Sequence, residues 1–170
     1  MPRLVDQGVT KLLLVPGEDG IADVNAPKLS ELVLGRDLTS QMVTTYEVRA
    51  DNSDTTNERA VCETANVVTP TVQNYMGRYD LFREWDADTQ EWSADDVLSY
   101  LQYGSVHYFV RRLGLPADVP FEEGQQVEVY KFMCDTPQTQ GGTGEGYLKA
   151  VVPLLQQGAF SVKATVVDDS

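Results

Sequence analysis

Apolar and polar residues alternate with period two along most of this chain, and that pattern constrains its fold more than any other feature. Successive side chains of an extended strand point to opposite faces, so each such run buries one face and wets the other. In the stretch Leu38 to Ala50, Leu38, Met42, Tyr46 and Val48 share one face, opposed by Thr39, Gln41, Thr45, Glu47 and Arg49. Between Tyr75 and Trp85, the residues Tyr75, Tyr79, Leu81 and Trp85 alternate against Met76, Arg78, Asp80, Phe82 and Glu84. Similar runs cover Val9 to Val15, Ser105 to Arg112, Gln126 to Cys134, Tyr147 to Leu155 and Phe160 to Val167. Strands of this kind, separated by Gly, Pro and Asp clusters, predict a mainly β fold, a β-sandwich or partly rolled barrel. A chain of 170 residues hides roughly 70% of its unfolded surface, so one domain over residues 1–170 is expected to need neither disulfide nor metal.

One helix interrupts the strands. Ser93 suits an N-cap, Asp95 and Asp96 favour the positive end of a helix dipole, and Val97, Leu98 and Leu101 make an apolar stripe, which predicts a short α-helix from Ser93 to Gln102. A second short helix is read at Lys28 to Leu32. Three segments lack a core-facing pattern: Gly17 to Asn25, Asp51 to Arg59 and Asp135 to Gly146. The last two are long and polar, so extended loops near 50–74 and 135–146 are candidate contact segments, functional or ordered only on binding.

Charge removes several function classes. Thirteen Lys and Arg against 26 Asp and Glu give a net charge of -13, the wrong sign for gripping nucleic acid or an anionic membrane. No apolar run reaches the length of a membrane span, and the N-terminus lacks the longer apolar region of a signal peptide, so a cytosolic site of synthesis is expected. Cys62 and Cys134 have no zinc-like or CxxC spacing, and each reads as a small apolar side chain. With His107 the only histidine, a histidine-rich metal site is excluded, and a Cys–His nucleophilic pair requires one cysteine to land beside it.

The remaining motifs read without chemistry. Gly142 to Gly146 lacks the Lys-Ser/Thr end and following helix of a phosphate loop, and is expected to be a flexible hairpin tip. Asp86, Asp88 and Glu91 resemble the opening of a calcium loop, but Val97 stands where the bidentate Glu belongs, so a solvated turn is expected. Glu122 and Glu123 precede Gly124 as a turn rather than an acid/base pair. Arg111 and Arg112, the only basic doublet, are available to acids on a neighbouring strand or subunit. No catalytic set assembles, and no metal site or cofactor is expected.

Several segments in order carry a resemblance: MPRLVDQGVTKLLLVP, PKLSELVLGRDLTS, YGSVHYFVRRLGLP followed by FEEGQQVEVYKF, and the closing FSVKATVVDDS. Together they resemble the major tail tube proteins of long, non-contractile-tailed bacteriophages of the siphovirus type, especially those of actinobacterial hosts. The resemblance implies a β-sandwich with one helix that forms hexameric rings around a closed lumen barrel, stacked into a conduit for double-stranded DNA ejection. Its implied partners are further copies of itself and the tape measure, tail terminator and distal tail proteins. DNA would pass through the lumen without specific binding, and the protein would assemble in the host cytoplasm and end in the virion tail. Under this reading Glu47, Asp80 and Glu84 are the lumen-facing candidates, where acidity would repel DNA and keep friction low. Asp51, Asp54, Arg59, Val61, Val67 and Val68 are the inter-ring candidates. Three alternatives stand beside it: a bacterial secretion tube subunit, a monomeric β-sandwich binding module, and a small hydrolase.

Overall fold

A computed structural model describes residues 3–169 of the chain. Its elements in order are β1 (Thr10–Pro16), α1 (Leu29–Val33), β2 (Arg36–Asp37), β3 (Glu47–Asp51), β4 (Thr55–Asn57), β5 (Val68–Pro70), β6 (Asn74–Phe82), β7 (Trp85–Asp86), β8 (Glu91–Trp92), α2 (Val97–Tyr100), β9 (Val106–Leu113), β10 (Gln126–Cys134), β11 (Gln138–Gln140) and β12 (Lys149–Thr165). The main sheet runs β2-β1-β9-β10-β12-β6-β3, with β11 also on β12, and every pair is antiparallel. Two small hairpins, β4-β5 and β7-β8, stand outside it. The fold is therefore mainly β, with two helices of five and four residues.

The sheet curls because β12 bends. The expected runs Tyr147 to Leu155 and Phe160 to Val167 are one strand of 17 residues. Opposite the step from Tyr130 to Phe132, its register moves from Phe160 to Gln156, so extra residues around Gly158 bulge out. Such insertions bend a strand and sharpen its twist. Tyr75 holds the bend: its hydroxyl accepts the Gln157 N–H at 2.7 Å and donates to the Lys131 carbonyl at 2.5 Å. Beyond the bend β12 keeps β10 as partner and leaves β6. The open strand path is bridged by the segment after β2. Leu38 N–H donates to Leu12 O, while Phe82 N–H donates to Gln41 O and Val43 N–H to Asp80 O. These hydrogen bonds tie the segment after β2 to both β1 and β6.

Two cores result. Inside the curl, Leu12, Leu14, Tyr79, Phe109, Phe132 and Val152 pack with Val97 of α2 and Leu101 just after it. On the outer face of β1, β9 and β10, Leu13, Val15, Val110 and Val129 pack under Ile21 and Leu32. The run Leu12 to Val15 is buried on both faces, which corrects the expectation of one dry and one wet face for that strand. A strand covered on both sides reads as a continuous apolar run rather than an alternating one. Gly17 to Asn25 likewise does face a core, through Ile21, which is 2% exposed.

Two element boundaries differ from expectation for a local reason. Of Leu38 to Ala50, only Glu47–Asp51 is strand. The Asp37 carboxylate accepts Thr39 N–H at 2.8 Å, and Gln41 and Met42 both donate to Leu38 O, so the chain turns before it can extend. The helix expected from Ser93 to Gln102 is reduced to Val97–Tyr100. Ser93 Oγ accepts Asp95 N–H in a turn, and the Asp96 carboxylate is drawn away to Arg83 and Glu84 N–H. The apolar stripe nevertheless faces the core as read.

Candidate assembly site

The longest connection between patterned strands folds into an arm. β3 runs on into β4, the chain turns through residues 58–67, and β5 returns into β6. Asp54 and Thr71 are cross-linked at the base: Asp54 N–H donates to Val72 O at 2.8 Å, and Thr71 N–H to Asp54 O at 2.7 Å. Asn74 Nδ2 donates to Asp54 Oδ1 and Asn52 O, while Gln156 Nε2 donates to Asn74 Oδ1 at 3.2 Å and ties the arm to β12. Every residue from Asp54 to Gln73 is exposed. A hairpin with three-residue strands and no apolar cover is not stable by itself.

The inter-ring candidates lie on this arm. Asp51 sits at its root and takes Arg49 at 3.4 Å. Asp54 organises the base, and Arg59 stands exposed near the tip without an ion pair among the described residues. Val61 is fully exposed, and Val67 and Val68 are more than half exposed, an unusual state for three valines so close in sequence. The Gly-rich segment after Asp135 is the other exposed excursion, stiffened only by the short strand β11.

The lumen candidates occupy a different surface, and none stands free on it. Glu47 lies opposite Arg78 on neighbouring strands, and its carboxylate accepts Arg49 Nε at 2.9 Å. Asp80 is buried rather than wet, at 7% exposure, accepting Thr45 Oγ1 at 2.5 Å and Arg78 at 3.2 Å. This corrects its placement among solvated acids. Glu84 follows the strand and accepts Gln41 Nε2 at 2.8 Å. Arg49 and Arg78 offset part of the acidity of this face.

One further surface lay hidden behind its charges. The segment read as a solvated turn, Trp85 to Trp92, is a hairpin in which the two tryptophans face each other, ring centres 5.1 Å apart and edge to face. Asp86 Oδ1 accepts Asp88 N–H and Thr89 N–H to close the tip, and these bonds hold its carboxyl below the usual range. The Arg83 guanidinium lies 3.5 Å over the Trp92 ring and pairs with Asp96 at 2.7 Å, both nearly buried. The signal for it was the pair of tryptophans flanking a turn, a cross-strand aromatic pair.

The interior holds a Cys–His pair that the sequence reading set aside. Cys134 Sγ lies 3.7 Å from His107 Nδ1, and His107 Nε2 shares a 2.8 Å hydrogen bond with the Tyr79 hydroxyl. All three are buried. Burial lowers the His107 pKa to about 4 and raises the Cys134 thiol, so imidazole and thiol both stay neutral near pH 7. A neutral thiol sealed from solvent is a packing group rather than a nucleophile. The basic doublet is likewise absorbed, Arg111 by Glu128 on the adjacent strand and Arg112 by the carbonyls of Pro116, Val119 and Pro120. Among the described residues no cluster of three His, Cys, Asp or Glu is placed to hold a metal, and no helix is long and apolar enough to cross a membrane.

The family described as phage tail tube protein matches residues 1–169. The chain belongs to that family. It is accordingly a structural component of a phage tail, in a family not typified by catalysis. No curated protein sequence matches it. Among solved structures, a chain in the cryo-EM structure of the anti-feeding prophage baseplate, 6-fold symmetrised, is similar with a TM-score of 0.54 and 12% identity, over 95% of this chain and 96% of that one. At that identity the likeness concerns the tail tube protein's fold alone.

Proposed function

We propose that this tail tube protein is the subunit of hexameric rings that stack into the conduit through which double-stranded DNA leaves the capsid. The arm carries this reading. Its residues bury almost nothing against their own subunit, so the apolar surface of Val61, Val67 and Val68 leaves water only against another molecule. Asp51, Asp54 and Arg59 would flank that inter-ring contact. The sheet supports ring formation, because β3 ends the strand path with an unpaired edge, and edges of this kind are protected when a neighbour continues the sheet. The 6-fold symmetrisation of the neighbour's baseplate favours six copies.

In such a ring the outer face of β3 and β6 would line the lumen. Glu47 and Glu84 would be the wet acids there, with Asp80 fixing Arg78 beneath them. DNA would slide past without specific binding. The tube's further partners would be the tape measure inside it and the tail terminator and distal tail proteins at its ends. Assembly would take place in the cytoplasm of the host, and the long, non-contractile tail of the virion would be the final location. A second reading, the tube subunit of a bacterial secretion apparatus, keeps the same ring.

Sedimentation velocity over a range of concentrations tests the ring directly. The expected result is a species of six 18.8 kDa chains and multiples of it; a monomer at every concentration contradicts the proposal. Antibody labelling of purified particles separates the two readings. Label along tubes that carry DNA-filled capsids supports the first, and label on tubes without capsids supports the second.

A further inference from the structure

The arm leaves the sheet at Asn74, where β6 begins, and the tryptophan hairpin follows Phe82, where β6 ends. At about 3.3 Å per residue, this strand sets the two features roughly 26 Å apart. They sit at opposite poles of the sheet. The pole beyond Phe82 is apolar and exposed: Trp85 is 53% accessible, Trp92 42% and Tyr147 80%, with Leu148 beside them. It is also rigid. Arg83 clamps Trp92 against the Asp96 ion pair, and Tyr147 meets Phe82 edge-on at 5.8 Å. A groove of 250 Å³ opens next to it, lined by Arg83, Trp92, Thr139, Leu148 and Lys149 among others.

We propose that this aromatic patch receives the arm tip of a second copy of the chain, so that copies join head to tail along the direction of β6. The inference rests on reading the arm as the inter-ring contact, and it names the surface on the other side. Charge favours this occupant. Lys149 lies 5.8 Å over the Phe82 ring and has no carboxylate partner among the described residues, while Glu58 and Glu63 flank the exposed valine at the arm tip. Arg59 on the arm would meet the acids of the hairpin, Asp86, Asp88 and Glu91. Symmetry favours it as well. Two unlike surfaces at opposite poles make a heterologous contact, which propagates along an axis when no rotation closes it, whereas a self-complementary patch stops at a dimer.

The chain's two tryptophans, Trp85 and Trp92, both lie in the patch, so the tryptophan emission of the unmodified protein, excited where tyrosine does not absorb, reports on this surface. Tubes assembled from the full chain should show a blue-shifted emission and a several-fold lower iodide quenching constant than unassembled subunits. A second measurement uses the exposed thiol of Cys62 on the arm. With Tyr147→Cys, oxidised tubes should give a ladder of disulfide-linked chains, absent with Cys62→Ser in the same background and absent when the partner is Val33→Cys on α1. Tubes that form with unchanged quenching, or that link Cys62 to the α1 position but not to position 147, overturn this inference and leave the tube reading standing. Quenching that falls only when another tail protein is added assigns the patch to that protein and equally overturns it. A chain that never assembles overturns both.

Discussion

Burial of His107 has a pH signature that belongs to one residue. Its pKa is lowered to about 4 by burial, against about 6.5 in the unfolded chain. Between those values the unfolded state binds the proton and the folded state does not, so the stability present above about pH 6.5 is lost as pH falls towards 4. The loss attributable to this group is about 3 kcal/mol. Urea unfolding of wild type and His107→Asn at pH 7 and pH 4.5 should show a smaller fall for the variant; identical falls would contradict a neutral, buried imidazole. Gly77 is a second residue with a sharp expectation. A Cβ there would lie 2.6 Å from Phe132 Cζ and 2.8 Å from Leu154 Cδ1. Gly77→Ala should therefore cost about 1–3 kcal/mol through overpacking, seen as a lower thermal midpoint, and an unchanged midpoint would mean that the inner core yields more freely than its packing indicates. Residue roles were legible unevenly. Alternation alone places Leu38, Tyr79 and Leu81 in the core, but nothing in it marks Asp80 as buried, because its burial depends on Arg78, Thr45 and the fold of the preceding segment.

The proposed assembly assigns the inter-ring contact to the arm. Removing Asn52 to Asn57 takes away β4 and the Asp54 bonds at the base. Surface loops ordinarily tolerate shortening, so the deleted chain should keep its thermal unfolding transition while losing the ability to make long tubes. Electron micrographs showing normal tubes from this variant would move the inter-ring contact elsewhere, to the Gly-rich loop or the terminal segments. Elements were legible in proportion to how local their causes are. Strand β10 matches its expected bounds, Gln126 to Cys134, because its alternation is set by its own sequence. The single long β12 was not legible, since Gly158 looks like a break and the bend is held by Tyr75, far away in the chain. The tryptophan hairpin was not legible as a surface, because Asp86, Asp88 and Glu91 give the segment the look of a solvated turn, whereas Asp86 closes its tip.

Charge is a property of the whole molecule, and its net of -13 opposes the packing of many copies. Salt screens such repulsion over about 10 Å at 0.1 M, so assembly should be favoured by raising the ionic strength into that range. Within the tube the picture is more local. The acidity of the face bearing Glu47 is partly offset by Arg49 and Arg78, and Glu47→Lys would make that face less acidic without touching the core. Particles carrying that variant should assemble normally and release DNA more slowly at low salt, returning towards the wild-type rate at high salt. Wild-type release at every salt concentration would count against a lumen position for Glu47. The architecture of the assembly, unlike the fold of its subunit, was not readable from alternation or composition, because the surfaces that decide it are those the isolated chain leaves uncovered. The central claim is that these surfaces are completed by copies of the same chain. Electron microscopy of the concentrated, unmodified protein tests it most directly: the account predicts hollow tubes of stacked six-membered rings, and a field of separate monomers without rings would contradict it.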